Sequence, residues 1–294
     1  MPSPDMPASG NGSRGRAPRA PVQVIAVTGG KGGVGKSVVA VNIAAELAAG
    51  GTRTLLFDGD LGLANIDVLL GLTPRWSLAH VLAGERSLRE VLVEAPQGFR
   101  VVPGASGVAR LADLGAAEHA GLVAAFSDIA PGLEALIVDT AAGLAPSVLT
   151  LAQASQTVLV VVCDEPTSLT DAYALIKVLS RQHQVRRFRI LANMVRDAVA
   201  GRRLFDTLDR VTARFLDVTL EYAGEIPDDP WLRRSVREQR PVVEAYPASP
   251  AARALKELAR RIPSWPVAAA PAGHIEFFAE RLSARPAPRL EVVR

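Results

Sequence analysis

The sequence predicts an α/β fold, a single doubly wound and mostly parallel sheet with helices on both faces. Three observations lead there. Short β-branched apolar runs alternate with helix-length stretches between residues 21 and 262, the pattern of successive βαβ units. The strand-like runs are apolar almost throughout, as strands buried on both faces must be. The first of them empties into a glycine-rich loop that opens a helix, a junction at which such sheets bind ligands.

Residues 1–20, "MPSPDMPASGNGSRGRAPRA", are rich in Pro, Gly, Ala and Ser without an apolar period, and are read as a disordered N-terminal tail. Order begins at "PVQVIAVT" (21–28), the first strand. "SVVAVNIAAELAAGG" (37–51) is apolar all round a helical repeat and stops at Gly50 and Gly51. "TRTLLFD" (52–58) is the second strand and closes a right-handed parallel unit. Further strands are expected at 100–102, 135–139, 157–163, 188–193 and 219–223. Ser168 and Asp171 in "SLTD" have the spacing of a capping box for a helix running to Arg181. Ser249 and Pro250 open another helix, "SPAARALKELARRI", as N-cap and first-turn proline.

No internal repeat is visible, so residues 21–262 are read as one domain. A linker (263–272), a short amphipathic helix (273–284) and a basic tail (285–294) follow it.

Composition narrows the function. The chain has 294 residues, of which 49% are hydrophobic, enough for one large core or two smaller ones. Its longest purely apolar run, "VLVVVC" at 158–163, is too short to cross a bilayer, and the first residues carry no signal-like apolar stretch. A cytoplasmic location is the expectation. A single cysteine, Cys163, excludes an internal disulfide framework and any metal site of clustered thiolates within one chain, and it reads as a buried small hydrophobe. The net charge of +3 is too small to argue nucleic-acid binding by itself.

The chemistry begins at "GGKGGVGKS" (29–37). Gly30, Gly35, Lys36 and Ser37 satisfy G-x-x-x-x-G-K-[ST] between a predicted strand and a predicted helix, the context that this pattern requires. Gly30, Lys31, Gly32, Gly33, Val34, Gly35, Lys36, Ser37 and Val38 are therefore the candidate phosphate-binding residues. Backbone N–H groups and the helix N-terminus favour phosphate oxygens, Lys36 reaches the terminal phosphates, and the Ser37 hydroxyl ligates Mg²⁺. "ALIVD" supplies an end-of-strand acid, Asp139, for the metal side. "FDGD" adds Asp58 and Asp60 at the end of strand two, one to support Mg²⁺ and the other to orient an attacking water.

Lys31 is surplus to that motif, in a chain where lysine occurs only at Lys31, Lys36, Lys177 and Lys256. In the form "KGGVGKS" it resembles the deviant Walker A ATPases of the MinD/ParA class. "DGDLGLANIDVLLGL" (58–72), "DTAAGL" (139–144), "EPTSLTDAYALIKVL" (165–179), "ANMV" (192–195) and "EQRPVVEAYPASPAA" (238–252) narrow the likeness to its FlhG (FleN) subfamily of flagellar-number regulators. The resemblance covers residues 22–283.

It implies slow, Mg²⁺-dependent ATP hydrolysis with ATP and ADP as the bound states, and an ATP-dependent homodimer. In such a dimer Lys31 reaches phosphates bound by the other subunit. It further implies that Asp60 positions the hydrolytic water, that Asp58 and Asp139 serve the metal, that Asn193 reads adenine, and that "IPDD" (226–229), with Pro227 and Asp228, runs along the base. A narrow ammonium on a flexible stem suits a crowded phosphate site better than a guanidinium does.

Relatives use a C-terminal amphipathic helix as a reversible anchor on the cytoplasmic membrane. Here that assigns lipid contact to Ile275, Phe277, Phe278 and Leu282, with Arg285, Arg289 and Arg294 favouring anionic lipid and Glu276 and Glu280 opposing it. The alternative is a helix docked on its own domain, and both hold if it is docked in the monomer and released in the dimer. Partners implied by the resemblance are an FlhF-type GTPase, a FleQ-type transcription regulator and flagellar C-ring components. Residues 1–21 lack the "DQAxxLR" element that stimulates the GTPase in some members. Two other readings stand beside this one, a ParA-like ATPase on DNA and a metabolic ATP-dependent ligase. Direct DNA binding would rest on the clusters at 186–188 and 201–203, which read better as solvated helix ends.

Overall fold

The computed structural model describes residues 21–104, 115–267 and 276–279. Its strands are β1 (Gln23–Gly29), β2 (Thr54–Gly59), β3 (Val93–Glu94), β4 (Arg100–Val102), β5 (Ala135–Ala142), β6 (Thr157–Cys163), β7 (Arg187–Val195) and β8 (Thr219–Pro227). They form one sheet in the order β3-β4-β2-β5-β1-β6-β7-β8. Every pairing is parallel except β3 with β4 at the edge. The predicted doubly wound sheet is therefore present, and β3, two residues long, carried no periodic signal to read.

Period-two alternation along the strands divides the core between the faces. Ile25 and Val27 of β1, Ile137 of β5 and Val161 of β6 pack against helices α1 (Lys36–Ala49) and α10 (Pro250–Arg261). Ala26, Val160 and Val162 turn to the other face, against α6 (Pro166–His183) and α7 (Ala198–Phe215). Val24, Phe57 and Val138 share that second face with α4 (Ala116–Ala125). Between these lie the short helices α2 (Ile66–Leu70), α3 (Leu78–Leu82), α5 (Pro146–Gln153), α8 (Pro230–Arg237) and α9 (Val242–Ala245). Helix α1 buries residues around its whole circumference, as its sequence requires, and ends at Gly50.

Two local expectations are corrected. Helix α6 starts at Pro166 with Glu165 as N-cap, so Ser168 and Asp171 are not its capping box. Proline presets the first-turn φ and sacrifices no hydrogen bond there, which moves the start three residues upstream. Ser168 is buried instead, and its Oγ accepts from the Cys163 N–H at 3.1 Å. The amphipathic helix over 273–284 is also not continuous. Phe278 has φ 56°, in the left-handed region that no α-helix interior accommodates. Phe277 and Phe278 are fully buried, in a cluster with Phe126 and Leu151, and the Phe277 N–H donates to the Ala154 carbonyl at 3.0 Å. They face the protein's own core and not a lipid surface in this state. Ile275, Leu282, the tail 1–20 and the basic tail 285–294 lie outside the described residues.

Ser249 caps α10 as read from sequence, its Oγ accepting from the Ala252 N–H at 3.2 Å. The neighbouring Asp229 does more. It is 3% exposed, with Oδ1 accepting from Trp231 N–H and Oδ2 from Ala251 N–H, each at 2.9 Å, so one carboxylate joins the starts of α8 and α10. Asp229→Ala leaves both donors unpaired. The expected loss is about 2–3 kcal/mol of unfolding free energy, read as a lower urea midpoint at unchanged slope.

Candidate functional site

The loop between β1 and α1 lies at the carboxyl end of the central strand, where β1 is flanked by β5 and β6. Glycine is required twice in it. A Cβ on Gly30 would lie 2.2 Å from the backbone carbonyl of Asp171 in α6, so the loop packs backbone to backbone on that helix. Gly35 has φ +90°, and a Cβ there would meet Asn193 Nδ2 at 2.3 Å.

Two cavities flank the loop and share Gly33, Gly35 and Val38. The larger, about 560 Å³, is lined by Lys36, Ser37, Asp60 and Thr140–Ala142. The other, about 370 Å³, is lined by Val39, Asn193, Met194, Ile226, Leu232 and Val236, with Arg233 and Arg237 at its side. The first, more polar lobe carries a lysine, a hydroxyl and the Asp60 carboxylate beside Leu63, Val68 and Leu69, and the second is mainly apolar, a division that a phosphate chain and a flat heterocycle would need.

Behind residues that line the polar lobe, next in sequence to Thr140, lies a buried conflict. Asp58 and Asp139 are register partners on adjacent parallel strands, 1% and 0% exposed. Desolvation pushes Asp58 up to about 7, against the opposing pull of three backbone N–H groups. Asn65 and Ile66 donate to its Oδ2 at 3.0 Å, and Asp60 donates to its Oδ1 at 3.3 Å. Asp139 has no hydrogen-bond partner on either oxygen among the described residues. Burial, reinforced by the Asp58 charge, holds its carboxyl well above the usual carboxylate range, against the pull of Ser37 and Lys36. Lys36, 8% exposed, is lowered by burial, while Asp139 and Asp60 oppose that shift.

These two acids divide the expected metal role unequally. Asp139, with two orphaned oxygens beside the Ser37 hydroxyl, fits a Mg²⁺ ion that keeps part of its water shell. Asp58 is already engaged as the cap of α2 and fixes the loop that carries Asp60. Asp60 in turn lines the polar lobe and accepts from the Leu63 N–H at 3.0 Å.

Lys31 leaves the cradle altogether. Its ammonium pairs with Glu165 and donates to Thr167 Oγ1 at 3.0 Å, both at the head of α6. The hydrogen bond to Glu165 raises its pKa. Lys36 remains in the loop, its Nζ 3.4 Å from the Lys31 carbonyl.

Asn193 sits at the wall between the lobes. Its Nδ2 donates to the Val34 carbonyl at 2.8 Å, and its Oδ1 is buried without a partner among the described residues. Pro227 and Asp228 do not line the apolar lobe. Asp228 turns outward to Arg233, and Ile226, one residue earlier, points in. Sequence reasoning missed Leu232 and Val236, which reach the lobe from α8; their spacing of four was the available signal. Of the two basic clusters, Arg186 pairs with Asp217 at 3.6 Å and Arg202 with Asp206 at 3.0 Å, which neutralises part of their charge. Cys163 is buried, as read.

A glycine loop on a central parallel strand, a buried lysine, a hydroxyl and an orphaned carboxylate together define a nucleotide-binding domain of the P-loop class. Comparison with known proteins carries this further. Residues 25–242 match the CbiA family, the CobQ/CobB/MinD/ParA nucleotide binding domain. The chain is 57% identical to the antiactivator FleN of Pseudomonas aeruginosa over 267 residues, covering 91% of this chain and 95% of the relative. It is 35% identical to the flagellum site-determining protein YlxH of Helicobacter pylori, covering 74% and 73%. Among solved structures, the cell division ATPase MinD of Pyrococcus furiosus superposes with a TM-score of 0.70 at 25% identity, covering 82% and 98%. The chain belongs to the CobQ/CobB/MinD/ParA family, and within it to the FleN/FlhG group.

The paired acids predict a pH dependence. Native Asp58 titrates at about 7, whereas in the unfolded chain it returns to the ordinary value. Its protonated form thus stabilises the fold fully below about pH 4, and this contribution is lost as pH rises toward about 7. In the nucleotide-free protein, Asp58→Asn should flatten the decline of urea stability across that window. Burial holds the Asp139 carboxyl well above the usual range, so cation binding there should be accompanied by proton release, read by calorimetry in two buffers of different ionisation heat.

Proposed function

We propose that the chain is an ATP-hydrolysing molecular switch that forms a face-to-face dimer when ATP is bound and regulates flagellar number or placement. The observation that carries this reading is the separation of the two loop lysines. Lys36 stays in the cradle, while Lys31 is drawn to the rim by Glu165 and Thr167. A lysine stationed at the rim is suited to a nucleotide held by a second copy of the chain.

In the proposed reaction the terminal phosphoryl group passes to water, and catalysis is positioning plus electrostatics. Loop N–H groups and Lys36 neutralise phosphate charge, and Asp60 orients the water. Asp139 and Ser37 would hold Mg²⁺, which would supply charge neutralisation when bound. Leu232, Val236 and Ile226 sandwich the base. The unpaired Oδ1 of Asn193 accepts from an exocyclic amino group, which adenine has and which guanine replaces with a carbonyl at the same edge.

The flagellar assignment rests on the two relatives, one an antiactivator and the other site-determining. It favours a transcriptional activator of the FleQ type as partner, with the FlhF-type GTPase and C-ring components as further candidates. The docked C-terminal segment supports a membrane cycle in which ATP-driven dimerisation frees it. Burial of Phe277 and Phe278 holds it with roughly 1.5–3 kcal/mol each. Release therefore needs several kcal/mol, which dimerisation and lipid insertion together must supply. No described helix is long and apolar enough to cross a membrane, so the association would be peripheral.

Size-exclusion chromatography tests the core of the proposal. Lys31→Ala should lose the ATP-dependent dimer and Asp60→Ala should accumulate it; unchanged behaviour in both would sink the sandwich-dimer reading. For the membrane step, deletion of 272–294 should abolish ATP-dependent liposome flotation. Flotation that persists in the deletion variant rules the anchor out.

A further inference from the structure

We infer that Gln239 is a positioning residue that ties the wall of the base lobe to the loop bearing Asp60. The inference rests on the nucleotide reading above and deepens it.

Helix α8 ends in a Schellman motif. The Arg240 N–H donates to the Ser235 carbonyl and the Gln239 N–H to the Val236 carbonyl, each at 3.1 Å. The residue in the left-handed position of that motif is usually glycine, because a side chain there is strained. Here it is Gln239, at φ 55°. A side chain kept at a position that favours its absence points to a task for that side chain.

The side chain leaves α8 altogether. Its Nε2 donates to the Val68 carbonyl of α2 at 2.7 Å. The fit extends to Gly71, the residue ending α2, where an added Cβ would lie 3.4 Å from Gln239 Oε1. Helix α2 is thus held at both ends. Asp58 accepts from Asn65 and Ile66 at its start, and Gln239 donates to its last turn. The loop entering α2 carries Asp60, whose own backbone N–H also donates to Asp58.

At its other face α8 lines the base lobe through Leu232 and Val236. Val236 supplies the carbonyl that fixes Gln239. A base that settles against α8 therefore acts on α2 through one side chain, and α2 carries the effect to the hydrolytic loop. The coupling is a physical connection between two elements, added to their shared apolar packing, through a link that one substitution removes.

Gln239→Gly and Gln239→Lys separate this role from a merely structural one. Glycine suits the left-handed backbone and removes the link, whereas lysine keeps a long donor. Hydrogen exchange over residues 61–72, with and without Mg²⁺ and ADP, reads the coupling directly, and calorimetry on the same samples reads ADP binding. In the wild-type chain ADP should slow exchange there. In Gln239→Gly, thermal stability should be equal or higher and ADP binding retained, while the ADP-dependent slowing falls by roughly 3- to 10-fold, the range for coupling carried by one side chain. The kcat for ATP hydrolysis should fall by a similar factor at unchanged KM, and Gln239→Lys should restore both. Full ADP-dependent slowing in Gln239→Gly overturns the inference, as does failure of lysine to restore it. Absence of ADP binding to the wild-type chain removes the nucleotide reading itself, and this inference with it.

Discussion

Two carboxylates side by side on adjacent parallel strands, both out of water, set the terms for the rest of this molecule. Asp58 and Asp139 face the same small volume at the carboxyl end of the sheet. Two ionised carboxylates cannot share such a place without compensation. The protein compensates them differently. Asp58 receives three backbone N–H groups from the loop that follows it, and so converts its charge into the shape of that loop. Asp139 receives none, and neither of its oxygens has a hydrogen-bond partner among the described residues. The conflict is thereby resolved into one acid that shapes a loop and one whose oxygens stay unpartnered among the described residues.

The surrounding architecture serves that division. Backbone packing of Gly30 on α6 brings the phosphate loop against the helix whose head holds Lys31. Asn193 donates its amide to the loop carbonyl of Val34, and its Oδ1 stays unpartnered among the described residues. Asp229 joins α8 to α10, and Gln239 joins α8 to α2. The walls of both lobes are therefore connected through hydrogen bonds to named atoms.

The C-terminal segment obeys a different balance. Its two phenylalanines fill a core position beside Phe126, with ring centroids 5.0 Å apart for Phe126 and Phe277. An apolar face of this kind is favourable against any nonpolar surface, and the protein's own surface is the nearest one. Sequence periodicity identified the apolar residues and left their destination open, because the hydrophobic effect has no direction.

The sequence by itself determined a mostly parallel sheet, the succession of its strands and helices along the chain, the phosphate loop and the acids at the strand ends. Those features follow from local rules: strand period, glycine where φ must be positive, and a lysine and hydroxyl at fixed spacing. It also singled out Lys31, whose surplus is visible in a string of letters. Tertiary structure decided what is done by residues far apart in the chain. It separated Asp58 from Asp139 in hydrogen bonding, turned Asp228 away and Ile226 inward, withdrew Lys31 to Glu165, and brought Gln239 to Val68, 171 residues away. Each of these depends on which polar atom is left without a partner once the core has closed, a quantity that exists only after distant elements meet.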